Sequence, residues 1–226
     1  MSQIIHLFLY CYNFLFIVQR FKQTISSYTK NGKANLNEQM LIKALQQGVE
    51  QAFSQLVESY QHMVFNVALG IVQQQQEAED IAQEVFIQVH QSIKTFKSEA
   101  KLSTWLYRIA ITKSLDCQRR KTRKKRFGVI RDLFGTNNEV IYETPDFHHP
   151  GISMENKEKA TILFMAVNKL SDNQKIAFTL NKVEGLSYQD VADVMNVTVA
   201  SVEAYLHRAK ENLRKDLNNY YQHQLK

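Results

Sequence analysis

The sequence is poor in the residues that staple or punctuate a chain. Its 226 residues include two cysteines, two prolines, seven glycines and one tryptophan. Cys11 and Cys117 lie far apart, with no histidine or cysteine at metal-ligand spacing. Neither a disulfide framework nor a zinc site is expected, and the default is a reducing compartment. His148 and His149 are adjacent but stand alone, a poor basis for a metal site. A glycine-rich phosphate loop, a nucleophile elbow and a paired-histidine zinc signature are all missing. No cofactor or metal is therefore expected, and nothing supports an enzyme. No stretch alternates apolar and polar residues with the period of two that a half-buried strand needs.

Long apolar runs are scarce too. Ile4 to Val18 is almost wholly apolar, broken by His6 and Asn13. It falls short of the roughly 20 residues of a membrane span, and it lacks the positive leader and small-residue cleavage site of a signal peptide. Arg20 and Lys22 follow it and leave room for a weak interfacial anchor. The favoured expectation is that residues 1–34 are an extension outside the working machinery. The next methionine, Met40, lies close to where well-patterned sequence begins.

What is present in excess is positive charge. The formal net charge is +6 and the pI about 9.2, a balance that favours an anionic partner. The excess is local: from Lys101 to Arg131 there are eleven lysines and arginines against one acid, Asp116. Its densest part, Arg119 to Arg126, packs seven cations into eight positions. A charge run alone is most often a solvated helix end, so its neighbours must decide.

Apolar residues recur at helical spacing on both sides of one irregular segment. Before it stand Leu41, Leu45, Phe53, Leu56, Val57, Tyr60, Val64, Val67 and Ala68, then Ile81, Val85, Val89 and Ile93. Residues 127–154 hold both prolines and three of the seven glycines, without a sustained period. They read as a flexible linker. The expected fold is all-α: a helical bundle over 35–126, the linker over 127–154, and a second helical bundle over 155–220.

The second bundle is sharply punctuated. Ser171 with Gln174 has the spacing of a capping box, and Gly185 can stop the helix that follows. Ser187 with Asp190 opens the next helix, Asn196 can end it, and Thr198 caps a third. Val199, Val202, Leu206, Ala209 and Leu213 form the inner stripe of that third helix. Helix, short turn, helix is the layout of a helix-turn-helix unit, whose second helix enters the major groove. The outer face offers Ala200, Ser201, Glu203, Ala204, His207, Arg208 and Lys210, small and polar side chains suited to base edges. An ordinary three-helix bundle would show the same spacing.

The first bundle adds independent evidence. In "STWLYRIAITKSLDCQRRKTR", Ser103 has the place of a cap, and Trp105, Ile109, Thr112 and Asp116 share a stripe that runs into the cations. A helix dipole favours some cations at a C-terminus, but seven exceed that need. Trp105 and Tyr107 are placed to stack on unpaired bases, although core packing claims at least as much weight for Trp105. Upstream, no base occurs between Gln73 and Val89, and Asp80, Gln83 and Glu84 share one helical face. An acidic face beside a cationic patch suggests a protein partner, with plain solubility as the simpler use.

Together, "EAEDIAQEVFIQVHQSIKTFK", "STWLYRIAITKSLDCQRRKTR" and "KLSDNQKIAFTLNKVEGLSYQDVADVMNVTVASVEAYLHRAKENLRK" resemble the extracytoplasmic-function (ECF) sigma factors of bacterial RNA polymerase, over roughly 35–215 apart from the linker. The resemblance implies a promoter-specificity subunit that binds core polymerase, at its clamp helices and flap region, and promoter DNA. It also implies an anti-sigma partner, a cytoplasmic location with tethering to a membrane through that partner, and no small-molecule substrate. Asp80, Gln83 and Glu84 would dock on the clamp helices. Phe96, Lys97, Ser98 and Lys101, in the loop before Trp105, would receive a flipped base of the minus-ten element. Trp105, Arg108, Thr112, Asp116, Arg119 and Arg120 would recognise that element, hold its separated strand or contact phosphate. Ser201, Glu203, Ala204, His207 and Arg208 would read the minus-thirty-five element. Two positions depart from the family's pattern: Thr112 stands where asparagine is common, and Ser98 where glycine is common. The competing readings are a stand-alone helix-turn-helix regulator and a membrane-surface protein built on Ile4 to Val18 and the cations.

Overall fold

The computed structural model describes residues 34–132 and 162–224. The apolar stretch from Ile4 to Val18, His148, His149 and most of the expected linker lie outside the described residues. The N-terminal unit contains α1 (Ala34–Gln46), α2 (Glu50–Val72), α3 (Gln75–Ser92), a 3₁₀ turn (Ile93–Thr95) and α4 (Leu102–Asp132). The C-terminal unit contains α5 (162–168), α6 (Asp172–Phe178) with a π turn (Thr179–Val183), α7 (Tyr188–Met195) and α8 (Val199–Gln224). No strand occurs among the described residues. The all-α expectation holds.

The periodic apolar residues make the core. On α3, Ala78, Ile81, Val85, Phe86 and Val89 are buried at spacings of one to four residues, and Ile93 extends the stripe into the 3₁₀ turn. They pack on the α2 residues Leu56, Val64, Val67 and Ile71, and on Leu102, Leu106 and Ala110 of α4. On α8 the predicted inner stripe is buried at Val202, Leu206, Ala209 and Leu213. Leu213 and Ala209 close a small separate core with Ala166, Val167 and Leu170.

Several local expectations are met in detail. Ser187 accepts from the Asp190 backbone N–H at 3.1 Å and donates to its carboxylate at 2.6 Å. Asn196 ends α7 in the left-handed region, at φ 54°. Thr198 accepts from the Ser201 N–H at 3.2 Å. Gly185, at φ 72°, turns the chain between the π turn and α7 where a side chain would be strained.

Three differ. Ser171 occupies the N-cap of α6, but its side chain makes no cap bond, and Gln174 accepts from Asn212 of α8 instead. Ser103 lies inside α4; the cap of that helix is Glu38 of α1, whose carboxylate accepts from the Leu102 N–H at 2.8 Å. A cap supplied from 64 residues away leaves no local trace in the sequence. Finally, α4 continues to Asp132, beyond the point where patterning places the start of the linker.

The two units are not apart. Ile176, Ala177, Leu180, Val191, Ala192, Val194, Val202 and Leu206 of the C-terminal unit join the same buried cluster as the N-terminal core. The seam lies along α2 and α4 on one side, and α6, the π turn and α7 on the other.

Candidate nucleic-acid and partner interface

The acidic face is real and open. Asp80 and Gln83 are exposed on α3, while Glu84 is half-buried and pairs with Lys113 of α4 at 3.4 Å. Ile87, seven residues after Asp80 on the same face, is 58% exposed. It borders a hollow of about 220 Å³ lined by Phe53, Phe86, His90 and Gln91, in which the Phe53 and His90 rings meet edge to face at 5.1 Å. Ile87 and this hollow set a small apolar spot beside the acids. Reading the acids alone misses Ile87, although its i+7 spacing was visible.

The loop and helix expected to face DNA are adjacent. The Phe96 and Trp105 rings stack at 4.8 Å, tilted by 31°. Gln46 of α1 donates to the Phe96 carbonyl at 2.9 Å and fixes the loop's start. Both rings are half-buried, so Trp105 packs and keeps an accessible edge. Lys97 and Ser98 are exposed in the loop. Ser98 has φ 58°, a left-handed conformation that most side chains resist. That is the physical reason a glycine suits this position.

Along α4, Thr112 is exposed and its hydroxyl donates back to the Arg108 carbonyl at 2.8 Å. Asp116 pairs with Arg119 at 3.3 Å, and Arg120 is exposed. The cation cluster is thus divided in use. Lys121 turns inward to Glu77, and donates to Gln74 at 2.6 Å, tying α4 to the start of α3. Arg119, Arg120 and Arg123 face solvent. The side chains of Lys124, Lys125 and Arg126 lie outside the described residues.

The helix-turn-helix presents its second helix as expected. Glu203, His207 and Arg208 are exposed, while Ser201 and Ala204 are half-buried. His207 lies 3.8 Å from Glu211, one turn on. The structure does not merge this surface with the aromatic loop; they remain separate faces of separate units.

The contacts that sequence reasoning misses lie between the units. Arg108 donates from Nη2 to the Asp193 carbonyl at 2.6 Å and from Nε to the Val194 carbonyl at 3.2 Å. Lys101 pairs with Asp190 at 3.2 Å. The Ser187 hydroxyl, and then Lys101, hold the Asp190 carboxyl below the usual carboxylate range. Tyr107 donates its hydroxyl to Glu184 at 3.1 Å. Glu184 is intermediate in exposure as a residue, yet its carboxyl is enclosed. That lost hydration pushes its pKa up to about 7, against opposing hydrogen bonds from Asn66 and Tyr107. Burial likewise raises the Tyr107 pKa.

A helical bundle with an acidic face, an aromatic loop beside a cationic helix, and a helix-turn-helix in the second unit have the make-up of a two-module DNA-binding protein. The comparisons make this specific. Residues 56–124 match Sigma-70 region 2, and residues 161–213 match Sigma-70, region 4. The chain is 32% identical over 190 residues to the RNA polymerase sigma-H factor of Pseudomonas aeruginosa, covering 80% of this chain and 93% of that one. It is 32% identical over 182 residues to the ECF RNA polymerase sigma-E factor of Haemophilus influenzae, covering 80% and 96%. It is 30% identical over 180 residues to the ECF sigma factor SigW of Bacillus subtilis, covering 79% and 95%. Its fold matches CnrH, solved with the cytosolic domain of CnrY, at TM-score 0.59 and 18% identity, over 80% of this chain and 97% of that one. It also matches the sigma factor RpoE from Bartonella quintana, solved with the anti-sigma factor NepR, at TM-score 0.53 and 19% identity, over 74% and 96%. The chain belongs to the ECF sigma factors of the sigma-70 family. It is a sigma factor that binds core RNA polymerase and directs promoter-specific transcription initiation.

Proposed function

We propose a division of that work among the residues described. Asp80, Gln83 and Glu84, with Ile87, dock on the clamp helices of the polymerase. Phe96, Lys97, Ser98 and Lys101 form a mouth for a base flipped from the minus-ten element. Trp105, Arg108, Thr112 and Asp116 line the path of the separated strand, and Arg119 and Arg120 hold phosphate without reading sequence. Ser201, Glu203, Ala204, His207 and Arg208 read the minus-thirty-five duplex, on a unit that also meets the polymerase flap. Binding energy spent on captured bases drives opening, and no covalent step is involved. Region 2 occupies 35–126, the linker 127–154 and region 4 155–220. The protein works in the bacterial cytoplasm under an anti-sigma partner, a reading supported by the sigma factor RpoE having been solved with the anti-sigma factor NepR.

One observation carries this reading. A single small bundle presents an open acidic face on α3 and, on the loop and helix next to it, the Phe96–Trp105 pair leading to exposed arginines. A stand-alone regulator has no use for the first. The test is run-off transcription with core polymerase on a genomic library, beside a gel shift of the protein alone. Discrete start sites, with weak duplex binding by the free chain, are expected. Tight, sequence-specific duplex binding without polymerase would favour the regulator.

A further inference from the structure

The loop expected to receive a flipped base is held at both ends by one helix. Gln46, the last residue of α1, donates from Nε2 to the Phe96 carbonyl at 2.9 Å. Glu38, in the first half of α1, accepts from the Leu102 N–H at 2.8 Å. Residues 97–101 run between these two points without helix or strand. Eight residues of α-helix set the two grips about 12 Å apart. α1 is itself fixed by Ile42 and Leu45, which are buried in the core of the bundle. A rigid rod thus spans the loop and sets the separation of its ends.

The loop gains from that support. Ser98 sits at φ 58°, a conformation that a side chain resists. Lys97 and Ser98 are exposed, so packing does little to hold them. Phe96 opens the loop, Trp105 stands in the first turn of α4 just after it, and their rings stack at 4.8 Å. Gln46 and Glu38 therefore place the backbone from which both rings project. A loop that is ordered before DNA arrives loses no affinity to its own ordering. Neither residue belongs to the faces assigned above to polymerase or DNA. α1 also lies ahead of residues 56–124, the part that matches Sigma-70 region 2.

We infer that Glu38 and Gln46 are positioning residues of this loop, and that α1 is a brace holding residues 96–102 ready for a flipped base. The inference rests on the functional reading of the loop and adds α1 to it. The brace acts on base capture alone. Docking through α3 and duplex reading by α8 use other surfaces.

Glu38→Ala and Gln46→Glu test it in the full-length protein. The first removes the acceptor for the Leu102 N–H; the second keeps the shape of the side chain but sets an acceptor against the Phe96 carbonyl. Each polymerase-bound chain is titrated with bubble promoters that carry each of the four bases, or an abasic site, at every minus-ten position in turn. The parent is expected to lose affinity at one abasic position, that of the base held by the loop. Both variants are expected to bind the intact bubble about threefold to tenfold more weakly, the scale of one lost cap bond. Once that position is abasic, they are expected to match the parent. Glu38→Gln keeps an oxygen for the Leu102 N–H and is expected to restore most of the loss. Should Glu38→Ala melt below the assay temperature, Gln46→Glu carries the test from the other end of the loop. Variants that equal the parent on every bubble would overturn the brace. A deficit that persists on the abasic bubble would do the same, since general loss of structure gives that result. A parent indifferent to every abasic position would instead count against the base-receiving role of the loop.

Discussion

The Tyr107 hydroxyl of α4 donates to the Glu184 carboxylate at 3.1 Å, joining two units that are 77 residues apart in sequence. The groups facing this pair are Asn66 and Tyr60 from α2 and Asp190 from α7, with Lys101 beyond Asp190. No cation touches the carboxylate directly among the described contacts, so lost hydration dominates its titration.

A pH dependence of the seam follows. Burial where the units meet pushes the Glu184 pKa up to about 7, against an ordinary value of 4.5 once exposed. Between those values the buried carboxyl holds a proton that an exposed one releases. The contribution of this contact is therefore fully present below about 4.5, weakens as pH rises to about 7, and levels off above. A two-dye distance across the seam recorded from pH 5 to 8 should lengthen up to about pH 7 and then level off. Glu184→Gln keeps a neutral partner for Tyr107 and should abolish that dependence.

Asp80→Ala with Glu84→Ala should weaken core polymerase binding at least about tenfold, while promoter preference holds. The pair Glu84–Lys113 is partly exposed, and such pairs contribute about 0–1 kcal/mol. The melting temperature should therefore move little, separating lost docking from lost folding. Titration of labelled polymerase, beside a thermal melt, checks both; equal polymerase affinity would sink the assignment.

Arg119→Ala with Arg120→Ala should lower affinity for melted promoter DNA evenly across sequences. Each phosphate contact on single-stranded DNA contributes about 0.7 to the slope of log affinity against log salt. The double variant should flatten that slope by about 1.4 if both arginines touch phosphate. A salt titration of the polymerase complex reads it.

Ser98→Gly should stabilise the N-terminal unit by about 0.5–1 kcal/mol. Relief of the left-handed conformation outweighs the extra chain entropy of glycine. Chemical denaturation measures it, and a destabilised variant would show that the Ser98 side chain carries more than its backbone costs.

Arg208→Ala should cost about 1–3 kcal/mol of discrimination at one upstream base pair, the worth of a bidentate arginine–guanine contact. Arg208 is exposed, so folding should be unaffected. A footprint unchanged in position and strength would remove it from the reading set.

Much of this was legible because it is periodic or local. The stripe Ile81, Val85, Val89 and Ile93 and the stripe of α8 are spacing statements, and both are buried. Ser187, Asn196 and Thr198 act on backbone within three or four residues, so their roles are written next to them. The cap of α4 by Glu38, the inward turn of Lys121 to Glu77 and the grip of Arg108 on α7 are different. Each joins residues at least 44 positions apart, and each side chain alone looks like ordinary surface charge. Gly70 in particular reads as a flaw in a helix until Thr179 is placed beside it.

The hold of Arg108 on two carbonyl oxygens has a thermodynamic corollary. A guanidinium that leaves those neutral oxygens for the oxygens of a nucleotide exchanges one set of acceptors for another. It is never stranded bare in between, provided the incoming strand arrives as α7 departs. Such a swap keeps the guanidinium hydrogen-bonded throughout, and an anionic phosphate acceptor favours its completion.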